Sequence, residues 1–129
     1  MDALSNPNPM RILVVDDEPS VRMVLSDFLR EEGHEIATAC NGAEALETFH
    51  QSKWDMVLTD RAMPGMSGDE LAAAVKQSDP HMPVVMITGY VDPKRDFVAE
   101  PRQVDVVVRK PFTFAAIRNA MSEATAACR

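Results

Sequence analysis

Apolar positions along this chain fall into two rhythms. Arg11-Ile12-Leu13-Val14-Val15, Trp54 to Asp60, Pro83-Val84-Val85-Met86-Ile87 and Val104 to Val108 are short, nearly unbroken apolar runs rich in β-branched residues. Such runs predict strands covered on both faces. His34 to Ala39 alternates instead, which predicts a second strand at the sheet edge. Between these runs the apolar spacing is helical: Val21, Val24, Leu25, Phe28 and Leu29; Ala45, Leu46 and Phe49; Leu71, Ala72 and Val75; Ala116, Ile117, Ala120 and Met121. Pro19-Ser20 opens the first helix and Gly33 closes it, Asn41-Gly42 leads into the second, and Ser78-Asp79-Pro80 stops the third, which covers Asp69 to Gln77. Thr113 caps the last. Pro93 and Pro101 bracket a thin apolar pattern from Val91 to Gln103, which predicts a short or irregular fourth helix.

Strand and helix in alternation predict an α/β fold, a doubly wound parallel five-stranded sheet, because right-handed crossovers place helices on both faces. A dinucleotide-binding half shares that rhythm but needs a Gly-x-Gly-x-x-Gly after the first strand. Here the residues are Asp16-Asp17-Glu18-Pro19, acids that would repel a pyrophosphate.

Composition narrows the function classes. A length of 129 residues suits one domain with one core, expected over residues 10–127 behind a flexible tail at 1–9. The tail is polar, with Pro7, Asn8 and Pro9 and no apolar stretch, so it is not expected to act as a signal peptide. A hydrophobic share of 46% and a charged share of 26% are ordinary for a soluble globular domain, and no apolar run is long enough to cross a bilayer. A net charge of -7 argues against direct nucleic-acid binding and for cations as small partners. Cys40 and Cys128 are expected to be free thiols in a reducing, cytoplasmic setting.

The candidate chemistry lies at the strand ends. Asp16 and Asp17 end the first strand and Asp60 the third, followed by the loop Arg61-Ala62-Met63-Pro64-Gly65-Met66-Ser67-Gly68. Thr88 follows the fourth strand and Lys110 the fifth. Open parallel sheets bind ligands at this carboxyl edge. Each residue alone has an ordinary explanation, an acid as a turn former or a lysine as a solvated charge. Five polar groups at the ends of adjacent strands ask for a shared one. Three close carboxylates repel one another unless a cation offsets them, and Mg²⁺ accepts a few carboxylates, a carbonyl and waters. The carbonyl of Ala62, two residues past Asp60, is placed to serve. With the ion and Lys110 offsetting charge, Asp60 can act as a nucleophile toward a phosphoryl group while Thr88 hydrogen-bonds one of its oxygens. The product is an aspartyl phosphate.

In Asp16-Asp17, in Asp60 with Met63-Pro64-Gly65 and Gly68, in Thr88 and in Lys110-Pro111-Phe112, the chain resembles a response-regulator receiver domain of two-component signalling from about Met10 to Ala124. The resemblance implies a flavodoxin-like (βα)5 fold with strand order 2-1-3-4-5, Mg²⁺ dependence, and a cis Lys110-Pro111 bond. It implies phosphorylation by a sensor histidine kinase or histidine phosphotransfer protein, with no direct nucleic-acid or membrane partner, in a monomer or weak dimer. Such a module assists its own phosphorylation and dephosphorylation but is not a turnover enzyme. The metal would sit on Asp17, Asp60 and the Ala62 carbonyl, with Asp16 acting through a water. A partner would dock on Val21, Val24, Pro111 and Phe112, and Ala62 and Tyr90 would tune hydrolysis toward slow loss.

The chain departs from the family pattern at Val107, where an aromatic residue is usual, and at Arg61, where an apolar one is commoner. The combination of Arg61-Ala62-Met63-Pro64, Thr88-Gly89-Tyr90 and Val107 resembles receivers fused to the C-terminus of hybrid sensor kinases, or short free-standing ones, more than those attached to DNA-binding domains. Two alternatives compete. A phosphohydrolase of the haloacid dehalogenase kind would carry Asp-x-Asp after the first strand and a cap, neither of which fits. A receiver-like binding module that is never phosphorylated would be expected to lose Asp60, an acid of the pair, or Lys110, and all are present.

Overall fold

The computed structural model describes residues 8–89 and 104–128. In chain order the elements are β1 (Arg11–Val15), α1 (Pro19–Glu31), β2 (Glu35–Ala39), α2 (Gly42–Gln51), β3 (Met56–Asp60), α3 (Gly68–Ser78), β4 (Val84–Thr88), β5 (Val106–Arg109) and α4 (Phe114–Ala127). The sheet runs β2-β1-β3-β4-β5 and every pairing is parallel, the order that the resemblance implied. The expected helix from Val91 to Gln103, Tyr90 and tail residues 1–7 lie outside the described residues.

The unbroken apolar runs take the central positions. β3 and β4 are buried along their whole length, and β1 from Ile12 onward. The alternating β2 lies at one edge with Glu35 and Thr38 exposed. Successive side chains of a strand leave on opposite faces, so one strand feeds two cores. Ile12, Val14, Leu58, Val85 and Ile87 pack with Leu25, Phe28 and Leu29 of α1 and Ile117, Ala120 and Met121 of α4. Leu13, Val15, Val57 and Val84 pack on the other side with Ala45 and Phe49 of α2 and Leu71, Ala72 and Val75 of α3. Each such large side chain contributes roughly 1.5–3 kcal/mol by leaving water. Truncating Leu71 or Leu58 to alanine would cost about 2–5 kcal/mol once the cavity is included.

Helix starts follow the capping residues. The Asn41 side chain accepts from Glu44 N–H at 2.8 Å, and Thr113 from Ala116 N–H at 3.0 Å. Ser67 and Glu70 form a reciprocal capping box at the start of α3. α1 has no side-chain cap and begins instead with Pro19, whose fixed φ suits the first turn.

Strand boundaries shift where a side chain competes with the ladder. β5 begins at Val106 rather than Val104 because the Asp105 carboxylate is an anchor: one oxygen accepts from Lys76 Nζ at 2.7 Å and from Val84 N–H at 2.8 Å. β3 begins at Met56 rather than Trp54, and there the Asp55 carboxylate accepts the Arg11 N–H. β2 begins at Glu35 rather than His34, whose Nδ1 accepts the Met10 N–H at 3.0 Å. β4 runs one residue further than expected, to Thr88, which pairs with Arg109.

Candidate functional site

Four of the five strands deliver a polar group to one edge of the sheet. Asp16, just past β1, is 1% exposed, and Asp60, the last residue of β3, is 6% exposed. Asp17 is exposed and Thr88 buried. One oxygen each from Asp16, Asp17 and Asp60 lie within 4.8 Å of one another. Lys110 Nζ completes the group, 3.2 Å from Asp16 Oδ2 and 3.2 Å from Asp60 Oδ1. The strand ends that place it are themselves tied, since Lys110 N–H donates to the Thr88 carbonyl at 2.8 Å. The Lys110-Pro111 bond is cis, as the resemblance implied.

The two carboxylates that Lys110 bridges have different surroundings. Asp16 Oδ1 accepts the Glu18 N–H at 2.9 Å, an Asx turn that holds the acidic corner, while Arg22 Nη1 donates to the Asp16 carbonyl at 2.6 Å. Burial first, and then the charge of Asp16, push the Asp60 carboxyl above the usual carboxylate range, with Lys110 pulling the other way. Burial alone would disfavour the Lys110 ammonium, but Asp16 and Asp60 outweigh it and hold the ammonium charged to higher pH than usual. Three carboxylates face one ammonium. That imbalance suits a hard divalent cation on the carboxylate oxygens, and the donor set fits one.

The loop after β3 is held close to the acceptor strand. Thr59 Oγ1 donates to the Asp60 carbonyl at 2.9 Å. Gly68 N–H donates to the Arg61 carbonyl at 2.8 Å, and a Cβ on Gly68 would lie 2.1 Å from the Asp60 carbonyl oxygen. Only glycine allows that approach. Gly65, with φ of 78°, makes the turn between. Ala62 is exposed on this loop.

Of the residues expected at a partner surface, Val24 and Pro111 are exposed and Val21 and Phe112 half-buried against the α1 and α4 core. Sequence reasoning missed two neighbours. Met23 and Phe114 are also exposed, and the Phe114 ring stacks on Phe28 at 4.1 Å between centroids. Met23 falls off the helical stripe and so carries no pattern, whereas an aromatic in the first turn of α4 was a readable signal. Arg22, too, was missed, since a helix arginine reads as solvated. Val107 is half-buried and paired with Met86. Cys40 and Cys128 are free.

The family model described as "Response regulator receiver domain" matches residues 12–122. The chemotaxis protein CheY of Pseudomonas aeruginosa is 39% identical over 109 residues, covering 81% of this chain and 86% of that protein. Among solved structures, the response regulator TrrA of Thermotoga maritima in complex with Mg²⁺ and BeF superposes with a TM-score of 0.79 at 38% identity, covering 88% of this chain and 97% of that one. A complex of the histidine kinase ThkA with TrrA gives a TM-score of 0.76 at 36% identity, over 88% of this chain and 97% of that one.

Proposed function

Because the chain belongs to the response-regulator receiver family, we propose that Asp60 accepts a phosphoryl group from a histidine kinase or histidine phosphotransfer protein, with Mg²⁺ bound at Asp16, Asp17 and Asp60. The observation that carries the assignment is the Lys110 ammonium 3.2 Å from a buried Asp60 carboxylate, beside two further acids. An Asp60 oxygen forms the new bond to phosphorus as the bond to the donor nitrogen or oxygen breaks. Lys110 is within reach of an equatorial phosphoryl oxygen, and Thr88 supplies a hydroxyl at the next strand end. The bound metal supplies charge neutralisation on the transferring group. Both oxygens of Asp16 are engaged, one by Lys110 and one by the Glu18 N–H, which favours Asp17 as the direct ligand and Asp16 as support through a water. The Ala62 carbonyl is the remaining protein ligand in this reading.

The donor docks on Val21, Val24, Pro111 and Phe112, extended by the exposed Met23 and Phe114. The solved complex of ThkA with TrrA supports a kinase as the partner class. The module signals through its phosphorylated state and turns over no external substrate. No helix among the described residues is long and apolar enough to cross a membrane, in keeping with action in the cytoplasm. Ala62 carries no group to orient an attacking water, so the phosphoryl group is lost slowly. Tyr90, outside the described residues, is the second brake, and faster loss from Tyr90→Ala at fixed Mg²⁺ is the expected result.

Intact mass after incubation with acetyl phosphate and Mg²⁺ tests the central assignment. The parent gains one phosphate and Asp60→Asn gains none; an adduct that persists in the variant refutes Asp60 as the acceptor.

A further inference from the structure

The ion pair between Arg61 and Asp69 has no part in the phosphoacceptor chemistry proposed for Asp60. Arg61 follows the acceptor directly, and its side chain is 8% exposed. Its Nε lies 3.0 Å from Asp69 Oδ2 in the first turn of α3. The Arg61 main chain is tied to that same helix end by the Gly68 N–H. The loop from Arg61 to Gly68 is therefore closed twice onto one helix terminus, once through backbone and once through side chain. Ala62 is the first residue inside the closure.

A helix-anchoring role alone does not account for this pair. α3 already starts with a complete capping box, Ser67 with Glu70, and carries Glu70 beside Asp69 in its first turn. Those features satisfy and charge-match the helix start without Arg61. What the second closure adds is a fixed direction for the main chain just past Asp60. A carbonyl that must meet near-octahedral Mg²⁺ geometry needs that fixity, and a neighbouring exposed alanine cannot provide it. A planar guanidinium, weakly hydrated and rigid, suits a nearly buried clasp better than an ammonium would.

We propose that Arg61 and Asp69 are positioning residues that hold the Ala62 carbonyl toward the acid cluster and so set the affinity for Mg²⁺. The inference rests on the reading of Ala62 as a metal ligand. Where other members of the family more often place an apolar residue, this chain clasps the metal loop with charge.

The test is Mg²⁺ titration of the full chain by amide chemical shifts, with urea unfolding in parallel, for Arg61→Met/Asp69→Asn and for Asp17→Ala. The double variant removes one positive and one negative charge, so the net charge of the chain is unchanged. Its Mg²⁺ affinity is expected to fall about tenfold, the size of effect seen when support behind a metal ligand is lost, while the capping box keeps the urea midpoint near that of the parent. Asp17→Ala separates the two readings. If it binds Mg²⁺ as the parent does, the acid-cluster site itself is wrong. If it loses Mg²⁺ while the double variant keeps parental affinity, the positioning role is overturned and the pair only anchors the helix.

Discussion

Gly68→Ala puts the closeness of the β3 to α3 crossing into measurable terms. Helix propensity and a less flexible unfolded chain, two expressions of the same backbone entropy, favour the alanine by about 0.4–1 kcal/mol. Against them stands a Cβ that would lie 2.1 Å from the Asp60 carbonyl oxygen, 2.8 Å from Arg61 Cα and 2.9 Å from the Asp60 carbonyl carbon. All three are backbone atoms, so no rotamer change relieves them. The strand end must retreat from the helix by more than an ångström to reach ordinary contact. Overpacking of this kind costs about 1–3 kcal/mol and at times more, and the Gly68 N–H to Arg61 hydrogen bond, worth about 1 kcal/mol, is lost with it. Because the strain falls on backbone, the upper end applies, and the net expectation is a loss of roughly 2–4 kcal/mol. For a chain of this size that corresponds to a fall in Tm of about 8–16 °C. Gly89→Ala is the control, since a Cβ there meets nothing within 4 Å, and it should match the parent or exceed it by up to about 1 kcal/mol. Urea and thermal unfolding of both variants without Mg²⁺ decide the matter. A Gly68→Ala protein as stable as the Gly89→Ala control would refute the tight crossing.

Three further expectations concern charge. Asp60→Asn should stabilise the metal-free protein at pH 7, because burial and Asp16 disfavour the ionised carboxylate; a raised folded pKa means that Asp60 lowers stability as pH rises from its unfolded value through the folded one, so the gain should vanish below about pH 4, and a less stable Asn variant at pH 7 contradicts it. His34 runs the opposite way: burial lowers its pKa against the pull of Glu32, and its Nδ1 must stay unprotonated to accept the Met10 N–H, so the stability it contributes is complete above about pH 6.5 and is lost as pH falls through that value toward its lower folded pKa. Urea midpoints from pH 7.5 to 5 should show a shallower fall for His34→Gln, and an unchanged slope rules His34 out. Lys76→Met should cost about 3–5 kcal/mol by stranding the nearly buried Asp105 carboxylate, and Lys76→Met/Asp105→Asn should recover part of it, as unfolding of the two variants will tell.

The sequence was most legible where one signal acted alone. Ile12 to Val15 and Val84 to Ile87 are buried on both faces, and an unbroken apolar run has few other uses. Asp16, Asp60, Thr88 and Lys110 were legible as a candidate site because each stands at or just past the end of such a run, and the sheet order puts those four strand ends side by side. Distant partners were invisible. Val104-Asp105 reads as strand because nothing nearby announces that Lys76, 29 residues earlier, takes the Asp105 carboxylate. Arg61 shows only that a charge stands where an apolar residue is commoner; its burial and its bond to Asp69 depend on how α3 returns to the sheet. Arg22 and Met23 lie side by side on α1, yet one is bound to the Asp16 carbonyl and the other faces solvent, and helical spacing separates neither role.

Lys110 meets a carboxylate 94 residues before it and another 50 residues before it. Contacts of such span do not form until the intervening chain has been ordered, and they are the first to go when an edge strand opens. A molecule with β5 undocked, whether newly made or partly unfolded, would have its acids in place but no ammonium against them. Under the proposed function it could not be charged with phosphate on the same terms as the intact domain. Under that function the pocket would act as an inspector of assembly: the capacity to carry a signal would be withheld until the last strand is seated, and a damaged copy would fall silent instead of transmitting falsely.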